Sequence, residues 1–587
     1  MKRVHQNSKG NDNMRISDKT FKMGTKAADK ALKSVVNRPI SNRKLKEYEM
    51  QMRRRAPHEV LNECNIIECI QLQRKMYSHC RTAQKLVLAS IIRSARNTEF
   101  GRKYNFHKIH SVSDYRRMVP VTGFEDYKEG FERLMKGEAD YSFPGKAVFF
   151  HQTSGSTGAF KYIPESIMEK EARKALTKIR YIEMVLNTST AGLRRVFPFF
   201  NAGDSQMTEG GIPAGAASGR TVNSTSKLLK RFFAYSPLVV EELTDEALYY
   251  TIMRLTMAHS DLSAFLGNNA HMLTIFVDCA KENAEDIIKD IRYGTNKYQL
   301  SKELQEEERE ALRPNPKRAD ELLELYKSDR FIPRYYWKDI VVASFWLGGS
   351  VGIFVDEIKP LLPEDTIYFD VGYGSSEAKI NIPLIPNTPA GALSIATSFF
   401  EFVPQSGGDT LLAHELEDGE IYEVLITTYG GLYRYRLKDY VKVDGFTGDT
   451  PNIYFVSKST DVANLVQEKA PGSALLTAVR SVVEKDNLGF VGCQVFTDSK
   501  KLCYVVCVET KRRPKDEGEF TKAIDEAICR ENHLYSMFRY QVPQINPCEV
   551  VFMKKGWWDR LVDKSRKGNS TAAQVKVPVV VLKMPED

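Results

Sequence analysis

Thr153-Ser154-Gly155-Ser156-Thr157-Gly158, with a lysine at Lys161, combines the residue types that hold phosphate. The apolar run Ala147-Val148-Phe149-Phe150 leads into it. A strand that ends in such a loop turns backbone N–H groups, hydroxyls and one ammonium toward a point where phosphate oxygens fit. Only two residues separate Gly155 from Gly158 and no Lys-Ser/Thr pair follows, so the pattern is not that of a P-loop NTPase. Taken alone, the hexapeptide also reads as a surface linker.

Two further stretches carry chemistry of the same kind. Thr366-Ile367-Tyr368-Phe369-Asp370-Val371 reads as a strand and runs into Gly372-Tyr373-Gly374-Ser375-Ser376-Glu377. A carboxylate at the mouth of that loop suits Mg²⁺, which binds through one or two carboxylates plus nucleotide phosphates and keeps several waters. The competing reading of Ser375-Ser376-Glu377 is a helix cap. Gly431-Leu432-Tyr433-Arg434-Tyr435-Arg436-Leu437-Lys438-Asp439 alternates with period two, one face basic and the other apolar or aromatic. The spacing predicts a strand ending at Asp439, whose carboxylate can accept two ribose hydroxyls; the plainer reading is a turn residue paired with Arg436.

The elements that must position these loops alternate helix and strand. His58 to Arg96 and Ile167 to Leu186 carry helical spacing, and Phe124 to Met135 predicts a helix ahead of the first loop. Arg195-Val196-Phe197-Pro198-Phe199-Phe200 and the glycine-rich Glu209 to Gly215 read as loops without chemistry. Two solvated helices meet at Arg313-Pro314-Asn315-Pro316, and Ile340 to Trp346 reads as a buried strand followed by an amphipathic helix over Ile353 to Leu362. Beyond residue 458 a small α+β pattern follows: strands at Phe490 to Phe496, Leu502 to Val508 and Val550 to Met553, helices at Phe520 to Cys529 and Trp557 to Asp563. The expected class is α/β, a large N-terminal domain of β-sheets and packed helices over 58–457 with a small α+β C-terminal lid domain over 458–587.

The 587 residues exceed what one core holds, and 42% apolar residues suffice for several. Residues 1–57 carry 16 Lys and Arg against 5 Asp and Glu, so a tail of +11 outweighs the whole-chain charge of +9 and leaves the body near −2. The tail composition predicts disorder until a helix begins near Asn42, and its charge suits contact with an acidic surface. A near-neutral body gives nucleic acid no support. The chain holds no apolar run long enough to span a membrane and no secretory signal, and its nine scattered cysteines lack a CxxC pair. Buried thiols in a reducing cytoplasmic compartment are expected, without a protein-held metal cluster.

The three loops together resemble the adenylate-forming superfamily of acyl-CoA synthetases and luciferase. Within it, the chain is similar to the auxin-responsive acyl acid amido synthetase family of plants and microbes. The likeness runs from Asn97-Thr98-Glu99-Phe100 to Val575-Lys576-Val577-Pro578 and includes Val119-Pro120-Val121-Thr122, Arg313-Pro314-Asn315-Pro316 and Gly431 to Arg436. The resemblance implies ATP and Mg²⁺ as cofactors, with Ser154, Gly155, Ser156, Thr157, Gly158 and Lys161 around the phosphates and Tyr373 near the adenine. Gly374 and Ser375 would belong to the cofactor site, Ser376 would meet the α-phosphate region, Glu377 would bind Mg²⁺ and Asp439 the ribose. Phe455 to Val462 resembles the family's hinge, placing Lys458 where the family has arginine; Lys438 stands where it has glycine. Gln574-Val575-Lys576-Val577-Pro578 resembles a Gln-Tyr-Lys-x-Pro segment, making Lys576 a mobile catalytic cation beside Lys161 and Glu377, with Lys469 a weaker candidate of the same kind.

The implied reaction activates a small carboxylic acid as acyl-AMP and transfers it to an amino acid amine. Catalysis would rest on positioning and electrostatics rather than a protein nucleophile. The same motifs would serve an acyl-CoA ligase or an acyl-protein thioester synthetase. A nucleotide-binding regulator without catalysis is the alternative from another class.

Overall fold

The computed structural model describes residues 41–153, 161–188, 194–199, 204–215, 230–348, 352, 354–405, 408–458, 461–463, 465, 468, 470–498, 500–541, 543–565, 577–581 and 583–586. Three large hydrophobic cores and two small clusters organise them. The first joins the N-terminal helices to two sheets. One sheet has the order β2 (Lys161–Glu165), β1 (Phe149–Thr153), β5 (Pro213–Gly215), β4 (Asp204–Met207). The other has seven strands: β12 (Leu411–Leu412), β11 (Ser398–Pro404), β13 (Ile421–Thr428), β14 (Tyr435–Thr447), β15 (Thr450–Lys458), β10 (Gly391–Leu393) and β9 (Asn381–Pro383). The second core lies around a parallel sheet, β3 (Arg195–Pro198), β6 (Leu262–Leu266), β7 (Val342–Phe345), β8 (Ile367–Asp370), with helices packed against it.

The third core, from Ala463 to Val580, belongs to the small C-terminal domain. Its sheet has the order β20 (Glu549–Phe552), β19 (Cys503–Thr510), β18 (Phe490–Asp498), β21 (Val580–Val581), packed with the helices Gly472–Lys485 and Glu517–Glu531. The α/β class, with a large N-terminal part and a smaller α+β C-terminal part, is the one expected.

Local chemistry explains the elements that matter for the site. The helix Ile167–Asn187 begins where Ser166 Oγ accepts the Glu169 amide at 3.0 Å, and the same hydroxyl donates to the Tyr429 carbonyl at 2.7 Å. One cap thus starts the helix and fastens it to the loop after β13. Asn315 caps the helix Pro316–Lys327 with proline at its first position, the break expected there.

Several expectations need correction. Arg195 to Pro198 is strand β3, paired in parallel with β6, rather than a loop; its charged first residue and proline concealed a strand whose last two residues are buried. The glycine-rich Glu209 to Gly215 includes strand β5. Asp439 does not end its strand, because β14 continues to Thr447. Arg434 does not share an exposed basic face with Arg436: its guanidinium is buried against Glu401, with Nε 2.9 Å from Oε2. Gly431 at φ 84° and Arg434 at φ 46° turn the chain before the alternation starts at Tyr435. The helix Asn42–Arg54 begins where expected, and its Met52 joins the first core. Of the basic tail, residues 1–57, for which contact with an acidic surface was expected, residues 1–40 lie outside the described residues.

Candidate active site

The base of the first hairpin, the second loop and the third stretch meet in one region. The first belongs to the β1–β2 hairpin, whose register pairs Thr153 with Lys161. Ser154, Gly155, Ser156, Thr157 and Gly158 lie outside the described residues. Lys161, at the base of the hairpin, holds its ammonium 4.8 Å from the centre of the Phe124 ring. Behind it His151 Nε2 lies 3.5 Å from Glu165 Oε1, both side chains buried.

The second loop leaves β8 through Gly372, whose φ of 87° and close approach to the Asn381 carbonyl exclude a larger residue. Asp370 accepts the amides of Leu347 at 2.7 Å and Gly372 at 2.6 Å, and burial pushes its carboxyl up to about 6. The Tyr373 amide donates to Asn381 Oδ1 at 2.6 Å, and Asn381 Nδ2 donates to the Ile453 carbonyl at 2.6 Å. Asn381 therefore locks Tyr373 to strand β15. Gly374 bridges to Lys379, and Ser375 Oγ accepts the amides of Glu377 at 3.2 Å and Ala378 at 3.4 Å. No helix follows, so Ser375 closes a turn and the helix-cap reading of this loop falls away. Arg173 Nη2 donates to the Ser376 carbonyl at 2.7 Å while Nε lies 3.1 Å from Glu169.

The third element is β14. Asp439 is buried at 2% exposure and accepts the Tyr373 hydroxyl on Oδ2 at 2.6 Å. Arg436 pairs instead with Glu423 at 3.0 Å, against the turn-residue reading of Asp439. Burial, reinforced by the Asp439 carboxylate, drives the Tyr373 hydroxyl well above its usual range. The Tyr373 ring lies 5.5 Å from that of Phe455. Lys438, just before Asp439, takes φ 59°, the left-handed backbone that glycine would adopt without strain. Burial and then the Glu377 carboxylate raise the Tyr435 hydroxyl, so Glu377 faces Tyr435. Thr122 bridges to Tyr435 two residues before Phe124, which carries Lys161, so the contacts run from Lys161 to Glu377.

Tyr373, Glu377 and Asp439 thus form one assembly, with Gly374, Ser375 and Ser376 in its turn. Lys458, whose backbone pairs with Asp439, ends β15. Lys469 and Lys576 lie outside the described residues. Asn381 and Arg173 went unnoticed in the sequence, and Tyr435 was read only as one residue of the alternating stretch. Asn381 alone gave a signal, a lone amide in the apolar run Ile380 to Pro383; the contacts of the others are long-range. Among the described residues no group of three or more His, Cys, Asp or Glu could hold a metal ion. A single carboxylate such as Glu377 suits Mg²⁺, which draws its other ligands from phosphates and water.

Among the described residues no helix is long and apolar enough to cross a membrane, and the nine cysteines are free thiols. A 4-substituted benzoates–glutamate ligase of Arabidopsis thaliana is 24% identical over 555 residues, covering 88% of this chain and 95% of that protein. A jasmonoyl–L-amino acid synthetase of Oryza sativa subsp. japonica is 23% identical, covering 88% and 94%. The fold matches the acyl acid amido synthetase AtGH3.15 in complex with 2,4-DB, with a TM-score of 0.76 at 19% identity over 88% of this chain and 94% of that one. Family models match three successive segments: the GH3 family N-terminal domain at residues 69–367, the central domain at 391–458 and the C-terminal domain at 473–585. The chain belongs to the GH3 family.

Proposed function

We propose that the protein is an ATP- and Mg²⁺-dependent acyl acid amido synthetase, activating a small carboxylic acid as acyl-AMP and transferring the acyl group to an amino acid amine. The observation that carries this reading is the buried Asp439 carboxylate, joined to Tyr373 of the same loop as Glu377. A carboxylate that receives one hydroxyl retains lone pairs for two more, which suits a ribose. Tyr373 and Phe455, their ring planes tilted by 37°, offer aromatic surface for the adenine. Glu377 is the residue that would hold Mg²⁺, which when bound neutralises phosphate charge and orients the α-phosphate. Ser154, Ser156, Thr157 and Lys161 would receive the phosphates, and Ser376 the α-phosphate region. Lys576 would bring a cation to the charge developing there, carried by a domain that turns beyond Lys458.

The chemistry follows from the leaving group. A carboxylate resists an amine because oxide would have to depart; its adenylate expels AMP instead. The relatives' names pair an acid with glutamate or another amino acid, which supports an amine acceptor. An α-amino group with a reference pKa near 8 attacks only when neutral, so the second step should accelerate between about pH 7 and 9. The buried free thiols agree with a cytoplasmic setting. The experiment is acid-dependent exchange of pyrophosphate into ATP, followed by mass spectrometry of products with mixed amino acids or coenzyme A. Release of ADP with phosphate would refute adenylation. Faster discharge by coenzyme A than by every amino acid would replace the amide with a thioester.

A further inference from the structure

The helix Ile167–Asn187 turns Glu169, Arg173 and Arg180 toward the loop that holds Glu377 and toward the carboxyl ends of the parallel strands β7 and β8. The crevice outside the carboxyl ends of parallel strands is where open α/β sheets take ligands. The positive charges there are not all matched. Arg173 is committed to Glu169 and the Ser376 carbonyl. Arg180 Nη2 donates to Ser344 Oγ on β7 at 2.7 Å, while its buried Nε has no acceptor. The carboxylate felt by Arg180, Asp370, is already bonded to two backbone amides.

Lys379 adds a third cation. Its side chain crosses Gly374, where a Cβ would lie 2.9 Å from the lysine Cδ. Half-buried, its ammonium forms no hydrogen bond or ion pair among the described residues, and burial, then the charges of Arg173 and Arg180, disfavour its charged form. A sheltered ammonium beside two guanidinium groups is unfavourable unless an anion joins them. Glu377 stands two residues away, so the cations border the place where, on the amido synthetase reading, the acid is activated.

We infer that Arg180 and Lys379 form a subsite for a second anionic group on the acid, so that the preferred substrate is a dicarboxylate of which one carboxylate is adenylated and the other is held. This rests on the adenylation reading above and specifies its substrate class. The acceptor amino acid also bears a carboxylate, so the test must leave it out.

The experiment measures pyrophosphate exchange without any amino acid, using succinate, glutarate, adipate and phthalate, each beside its monomethyl ester, with full-length wild type, Lys379→Met and Lys379→Arg. Loss of a charge-assisted contact is worth about tenfold or more in kcat/KM. Wild type should therefore prefer at least one diacid over its ester by about that factor. In Lys379→Met the preference should collapse toward one, and Lys379→Arg should restore most of it. Wild type that handles esters as well as diacids overturns the subsite and leaves adenylation standing. So does a Lys379→Met variant that keeps the preference, or that loses diacid and ester activity equally, since the lysine then serves the reacting carboxylate or the fold. Absence of exchange with every acid and ester overturns the adenylation reading itself, and the subsite with it.

Discussion

The Tyr373 hydroxyl donates to Asp439 Oδ2 at 2.6 Å, joining the loop after β8 to strand β14 across 66 residues of chain. Both groups are buried, so the bond is charge-assisted and sheltered from water. Tyr373→Phe keeps the ring against Phe455 and removes the donor. We expect a loss of about 2 kcal/mol in urea unfolding and a rise of about tenfold in the KM for ATP. An unchanged KM in a destabilised variant would make the bond purely architectural.

Glu377→Gln keeps the shape of the side chain and removes its charge. With Ser375 still closing the turn, the fold should persist while pyrophosphate exchange falls by about a hundredfold, and more Mg²⁺ should be needed for half-maximal rate. Wild-type Mg²⁺ dependence in this variant would remove Glu377 from the metal site.

Lys438 occupies a backbone conformation at φ 59° that costs a residue with a Cβ about 1–2 kcal/mol. Lys438→Gly should raise stability by about 1 kcal/mol, visible as a higher melting temperature, whereas Lys438→Ala should not. Equal melting temperatures for glycine and alanine would show that the strain is relieved elsewhere.

His58 is fully buried, packs edge-on against Tyr429, and burial lowers its pKa to about 4. The unfolded chain takes up a proton near pH 6.5 that the fold refuses. This contribution is therefore complete above pH 6.5 and lost as pH falls toward 4, a total of about 3 kcal/mol. His58→Leu should flatten stability over that window. Identical slopes for wild type and variant would assign the acid sensitivity to other groups.

Removal of residues 1–40 should leave exchange and melting temperature unaltered, because they precede the family match, which begins at residue 69. Removal of residues 1–55 takes away Met52, 3% exposed in the first core, and should lower the melting temperature. Loss of turnover in the shorter deletion would give the tail a part in the reaction.

Much of the architecture could be read from the chain because it rests on local signals. Phe490 to Phe496 and Leu502 to Val508 announced β18 and β19 through apolar runs, and Asn315-Pro316 announced a helix start. Two of the loops were visible for the same reason, as short blocks of small and polar residues behind a strand, and the third stretch through its period-two alternation. What joins them was not visible. The Tyr373–Asp439 bond, the Arg173 bond to the Ser376 carbonyl and the Arg434–Glu401 pair each link residues at least 33 positions apart, and register decides them. Arg434 was misplaced because period two was extended backwards through a turn that resets which face each residue takes.

The ladder that sets Asp439 opposite Lys458 has a mechanical corollary. A swivel in the C-terminal domain has to be absorbed after Lys458, since any earlier pivot would shear the pairing of β14 with β15. On the function proposed above, the carboxylate that would bind the sugar lies on the stationary side of such a joint. A nucleotide gripped there would stay registered to the larger domain through every turnover, and the moving part would exchange only the groups it presents to the phosphorus and to the incoming amine.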